Sequence, residues 1–310
     1  ILNQESLGAV ILIFAIGAFW FLGIRPASAP RRLAPIGMIL MGLAVATMAV
    51  RPFLYSAIIL EVFVLVSVPL FVPSGQAPGN GVLRYIIFMS LALPFVLLAG
   101  AMAGQVEQSS IGNNLILFAV ILLLLGFAFW LAVFPLNTWV PMLSEEAHPF
   151  VIGFVLSILS TIVLLMLRTF MNEFTWLGNY PDLPIFLKVS GVVMVASAGI
   201  LAAFQTDMTR LMGYSVILEN GLVLLMLSLP SPEGQPLFAA SLPARLLGIA
   251  VMVLALASLR KSGLELTMDG LRGAIFKKPG QVLSLICGYF SLAGFPLLAG
   301  FPIRLVLFER

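Results

Sequence analysis

Charge is what this chain has least of. Only 9% of its 310 residues are Asp, Glu, Lys or Arg, against roughly 25% in soluble domains, which excludes a soluble globular enzyme. Cysteine is nearly absent too: Cys287 stands alone inside an apolar run, so there is no internal disulfide and no cysteine metal cluster, and its simplest role is packing. The one histidine is His148, in the polar stretch SEEAHP. With Glu145 and Glu146 it could bind a metal only at the margin, and a solvated connection is the simpler reading. No glycine-rich nucleotide loop and no CxxC pair occurs, so nothing here ligates flavin, haem or an iron–sulfur cluster. The net charge of +3 comes from basic residues concentrated between apolar runs, where they set membrane topology; nucleic acid is not an expected partner.

What is present is apolar length. Hydrophobic residues make up 61% of the chain and the mean hydropathy is +1.13. A helix needs about 20 apolar residues to cross a bilayer, whereas a membrane β-barrel shows short alternating segments. The expected class is therefore all-α: a polytopic membrane helix bundle in a single membrane domain over 1–310. About ten spans are expected, at 7–23, 33–50, 53–72, 85–103, 114–136, 151–171, 185–204, 211–229, 242–259 and 282–307. The chain begins at Ile1 with neither Met nor the basic start of a signal peptide, as a fragment would.

Lysine and arginine fall mostly after spans 1, 3, 7 and 9, at Arg25, Arg31, Arg32, Arg84, Arg210, Arg260, Lys261, Arg272, Lys277 and Lys278, with Arg51, Arg168 and Arg245 opposite. The bias puts the N-terminus outside and the 260–281 loop on the cytoplasmic or equivalent negative side. That loop, RKSGLELTMDGLRGAIFKKPG, has an amphipathic pattern expected to lie along the surface as a short helix.

Ionisable residues inside a span cost from about 2.5 kcal/mol upward and point to function by default. Glu61, Glu219 and Arg304 are three such residues. Each glutamate reads either as a tie between helices or as a carboxyl that takes and releases protons. Lys188, near the start of its span, is explained by snorkelling. Glu61 lies two spans before a run broken at Pro135, and Glu219 two spans before one broken at Pro296 and Pro302. The glutamates are about 158 residues apart and the breaks about 161. Matched offsets with broken helices at corresponding places suggest a repeat-built transporter. Five spans per repeat would invert the second copy, giving a first repeat over 33–171 and an incomplete second over 185–310.

Three stretches carry a family resemblance. FPLNTWVP, FQTDMTRLMGYSVILENG and SLAGFPLLAGFPIRLVLF resemble, in that order, the PFHxWLP, AQxDxKRLLAYSSIxHxG and SLAGIPPLAGFxGKFYLF signatures of the antiporter-like membrane subunits of respiratory complex I and their Mrp antiporter and membrane hydrogenase relatives. The basic residue in the last stretch suggests the type next to the quinone-binding arm. The resemblance implies inverted five-helix repeats, spans 1–10 matching family helices three to twelve, and buried charges across the membrane. Glu61 matches the fifth-helix Glu and Arg304 the twelfth-helix Lys. Asp207 and Arg210 match their motif, while Thr209 replaces a Lys, Glu219 a His and Asn137 a His. The seventh-helix Lys becomes Trp130 and the eighth-helix Lys becomes Ser160.

Those departures shape the expected mechanism. A buried Lys can relay a proton, whereas Arg stays charged, so Arg304 is expected to act electrostatically and Trp130 to fill the first half-channel. The implied function is an antiporter-like subunit of a complex I type oxidoreductase, moving protons through Glu61, Glu219 and Arg304, with Asp207, Arg210, Ser160 and Lys188 in support. No cofactor is expected on this chain; quinone and NADH or ferredoxin would be handled by partner subunits, and other membrane subunits of the complex are its expected partners. The implied setting is a bacterial plasma, thylakoid or mitochondrial inner membrane. Two alternatives stay open: a structural subunit of the same complex that moves no protons, and a stand-alone or Mrp-like cation/proton antiporter.

Overall fold

A computed structural model describes residues 4–51, 54–72, 75–106 and 113–310. The helices in chain order are α1 (Gln4–Gly23), α2 (Leu33–Ala49), α3 (Leu54–Phe71), α4 (Asn80–Val106), α5 (Asn113–Leu131), α6 (Trp139–Glu146), α7 (Pro149–Glu173), α8 (Thr175–Gly178), α9 (Leu183–Ala203), α10 (Met208–Leu227), α11 (Ser231–Lys261), α12 (Ala274–Lys277), α13 (Pro279–Ala293) and α14 (Phe301–Phe308). Six of these are long and apolar enough to cross a membrane, and four shorter apolar helices accompany them. The chain is an integral, multi-pass helical membrane protein. Among the described residues the only β-pairing is an isolated bridge between Asp207 and Thr267.

The axis of the bundle is α7. Its apolar residues go all the way round, the pattern of a helix with no solvent face, and its membrane-length window is wholly buried. It starts where His148 Nδ1 accepts from the Phe150 N–H and Pro149 occupies the first turn, a position where a missing N–H costs nothing. Around it pack α2, α3, α5, α10 and α11, while α4 and α9 lie outside with most of their length uncovered. Between α9 and α10 the backbones nearly touch. A Cβ at Gly191 would sit 2.8 Å from the Gly221 carbonyl oxygen, the close approach that small residues permit between membrane helices.

Two elements differ from the sequence expectation. α11 begins at Ser231, not near 242, and carries Pro236 and Pro243 inside it, so these prolines do not punctuate the helix. The helical expectation for the 260–281 loop fails over 262–278, where only the four-residue α12 is helical, because Gly263 and Gly273 take left-handed φ of 78° and 72°. The loop is anchored by Met208 N–H to Leu266 O (2.8 Å) and Met268 N–H to Thr206 O (2.8 Å).

Candidate functional site: a buried ion-pair network joining two broken helices

The run around Pro296 and Pro302 breaks at mid-length. α13 stops at Ala293, Gly294 turns left-handed at φ 72°, and α14 restarts at Phe301 with Pro302 in its first turn. Arg304 sits on that first turn and folds back across the break. A Cβ at Gly294 would meet the Arg304 side chain, 3.1 Å from Nε and 3.3 Å from Nη1, so both the φ and the space exclude a side chain there. The Arg304 guanidinium donates to Glu219 Oε1 of α10, with the two side chains only 12% and 10% exposed. Two charges 85 residues apart in sequence thus become one buried, charge-assisted pair.

Beside Glu219 stands Asn220, and facing both is Arg245 of α11, which is 2% exposed. Arg245 Nη2 donates to Asn220 Oδ1 at 2.8 Å and to Ser160 Oγ of α7. Asn220 Nδ2 in turn donates to the Leu131 carbonyl at 3.3 Å. Leu131 is the last residue of α5, where the chain breaks before Pro135, which follows a cis peptide bond, and re-forms as α6. A backbone group freed by a membrane break must find a protein or water partner, and Asn220 is that partner. The two breaks are therefore joined through adjacent residues of one helix. Arg245 had been grouped with topology-setting cations; its place midway along α11, on the face shared by Phe238, Leu242, Leu246 and Ile249, all buried, was the signal that identifies it as internal.

Glu219, Arg245, Arg304, Ser241 and Ser291 line a cavity offering about 20 Å³ to the centre of a water molecule, and about 10–15 Å³ holds one. Among the described residues, Arg245 Nε and Nη1 have no protein partner, so a water there has donors to meet. Of Ser160, Asn220, Arg245, Arg304 and Glu219, only the glutamate can exchange a proton under physiological conditions, since arginine does not deprotonate in proteins.

The first break is built differently. Ser90 Oγ of α4 donates to Glu61 Oε1 of α3 at 2.5 Å, and among the described residues Oε2 has no partner. Trp130, 2% exposed, donates from Nε1 to Met89 O at 3.2 Å and packs edge-on against Phe127, with Phe129 stacked on Phe95 at 5.8 Å. It is thus bonded to the residue before Ser90, and the residue after it, Leu131, is the one Asn220 meets.

The remaining candidates lie elsewhere. Asp207 caps α10, its Oδ1 accepting from Thr209 N–H (2.8 Å) and Arg210 N–H (2.9 Å). Arg210 pairs with Glu145 at 2.5 Å, and Glu146 accepts from Gly81 and Val82 N–H (2.8 and 3.2 Å) at the start of α4. Both glutamates and His148 thus have separate structural partners. Burial, then the Arg260 charge, lowers the His148 pKa to about 4. Lys188 is exposed on the outer side of α9, away from the network.

Residues 86–310 match the family described as NADH:quinone oxidoreductase/Mrp antiporter, transmembrane. The chain belongs to that family. It is similar to NADH-quinone oxidoreductase subunit N 2 of Acidobacterium capsulatum, 26% identical over 255 residues, covering 75% of this chain and 51% of the relative; the chain spans about half the length of that curated relative. Among solved structures it resembles a chain of the membrane-bound sulfane sulfur reductase, an archaeal respiratory membrane complex (20% identity, TM-score 0.82, 97% of this chain and 52% of the other). It also resembles chains of the Mrp complex from Dietzia sp. DQ12-45-1b (17%, 0.80, 97% and 60%) and of respiratory complex I from Thermus thermophilus (22%, 0.72, 96% and 69%). At these identities the structural likenesses speak to the fold. The family's membership fits the broken helices and buried charges described above.

Proposed function

We propose that this chain is an antiporter-like membrane subunit of a complex I type NADH or ferredoxin:quinone oxidoreductase, and that it takes part in proton translocation. The observation that carries this reading is the Glu219–Arg304 pair at a broken helix, beside a cavity with room for water. Glu219 is the proton-exchanging group, Arg304 and Arg245 are fixed cations that bias it, and Glu61 is the carboxyl of the first half. Redox chemistry and quinone belong to partner membrane subunits, to which this chain is coupled by charge shifts. The division into inverted repeats over 33–171 and 185–310 is part of the same reading, supported by breaks after α5 and α13 at matching places. One observation favours the alternative of a non-pumping brace: where the resembled family carries a titratable Lys, this chain has a buried Trp130 bonded to the Met89 carbonyl. Proton-to-electron stoichiometry in the native complex distinguishes them. Glu219→Gln and Glu61→Gln should each lower the ratio while electron transfer continues; an unchanged ratio in both would leave the brace.

A further inference from the structure

The turn before α13 holds an aromatic ring out of the protein. Phe276 is 90% exposed and Ile275 47%, yet the backbone beneath them is tied at every step: Ala274 N–H to Leu271 O (3.0 Å), Phe276 N–H to Gly273 O (3.1 Å) and Lys278 N–H to Ala274 O (2.8 Å). Ala274 itself is 1% exposed and pins the turn. A ring held rigidly outward is favourable only in apolar surroundings. The exposed positions continue along α13 as Leu283 (59%), Ile286 (38%) and Phe290 (45%), spaced three and four residues apart and so on one helix face. Where this apolar stripe meets the turn stand Lys277 and Lys278, both exposed. Arg272 is already paired with Asp269 at 3.1 Å, but among the described residues the two lysines have no ion pair.

We propose that this turn and stripe form a binding site for an anionic phospholipid, its headgroup phosphate between Lys277 and Lys278 and an acyl chain along Leu283, Ile286 and Phe290, with Phe276 seated at the headgroup boundary. The occupant follows from the chemistry: an apolar stripe as on a lipid-facing helix, topped by two uncompensated cations. The lysine and arginine bias assigns this side to the leaflet with negative surface potential, where juxtamembrane lysines attract acidic headgroups. A zwitterionic lipid would satisfy the stripe and leave the net charge unmet. The site is independent of the proton-moving role.

The test uses the purified full chain in detergent, with thermal unfolding and native mass spectrometry as readouts. The probes are phosphatidylglycerol, phosphatidylcholine and inorganic phosphate. Phosphatidylglycerol should be retained and should raise the unfolding temperature, the other two much less. Lys277→Gln with Lys278→Gln should weaken phosphatidylglycerol binding by roughly 25-fold, a factor of about five per lysine. Phe276→Ser should weaken phosphatidylglycerol and phosphatidylcholine in equal proportion, since it removes apolar contact and no charge. Equal binding of the two lipids, undiminished binding by the double lysine variant, or a phosphate effect matching the lipid would each overturn the proposal. So would protection of Phe276→Cys from labelling by a partner protein in the native complex.

Discussion

The two broken helices present the same local problem and solve it with opposite chemistry. At the first, between α5 and α6, the freed Leu131 carbonyl is met by a neutral amide from Asn220, and the preceding turn carries the packed rings of Phe127, Phe129 and Trp130. At the second, between α13 and α14, a guanidinium bends back over Gly294 to a carboxylate, and a cavity able to hold a water adjoins them. The two breaks thus give the opened backbone different surroundings: rings and a neutral amide at the first, an ion pair and a cavity with room for water at the second.

The comparison is broken most severely by removing the cation of the second break. Arg304→Met leaves Glu219 buried without its partner and should cost about 3 kcal/mol or more of stability, measured by thermal unfolding in detergent. Adding Glu219→Gln should recover part of that loss, because the buried carboxylate is gone, while Arg245 stays as a buried cation held by Asn220 and Ser160. At the first break the corresponding insult is steric: Trp130→Ala should cost about 3 kcal/mol through the cavity it opens, and Glu219→Gln should recover none of it. A recovery there would mean that the first break, too, depends on the carboxylate.

An effect of similar size tests the bridge between the breaks. Arg245→Met removes charged hydrogen bonds to Asn220 and Ser160, each worth about 1.5–3 kcal/mol. Placing Ser160→Lys in the same chain returns a cation to that point from α7 and should restore most of the stability. Failure of that rescue, with Arg245→Lys tolerated, would make Arg245 a packing pin of α11.

The smallest effect lies outside both breaks. His148 caps α7 through an unprotonated Nδ1, and its pKa is lowered from 6.5 to about 4. The unfolded chain therefore binds this proton more readily than the folded one. Stability should fall as the pH drops from about 6.5 towards 4, because protonation favours unfolding. His148→Asn keeps a capping oxygen and should flatten that part of the stability–pH curve.

Much of this was legible in the sequence, and the failures share a cause. The apolar helices follow from run length alone, and the breaks from glycine and proline within long runs. Glu219 and Arg304 stood out because charges inside spans are rare. Their pairing was not legible, since it joins helices 85 residues apart. Arg245 was missed because it falls near the start of the expected 242–259 span, where a basic residue reads as topology-setting, whereas α11 reaches back to Ser231. Asn220 was missed because a neutral amide gives no signal until a freed carbonyl is placed opposite it. Asp207 and Arg210 show the converse: they were visible through their motif, yet they serve as a helix cap and a surface pair.

The central proposal is that Glu219, beside the second break, exchanges a proton with the adjoining cavity. Infrared difference spectroscopy of the full chain in proteoliposomes, taken across an imposed pH step, reads the carboxyl C=O band directly. The account predicts a reversible band, one component of which disappears in Glu219→Gln and another in Glu61→Gln, and which persists in Trp130→Phe. A band unchanged by Glu219→Gln, or no carboxyl band at all, would contradict it.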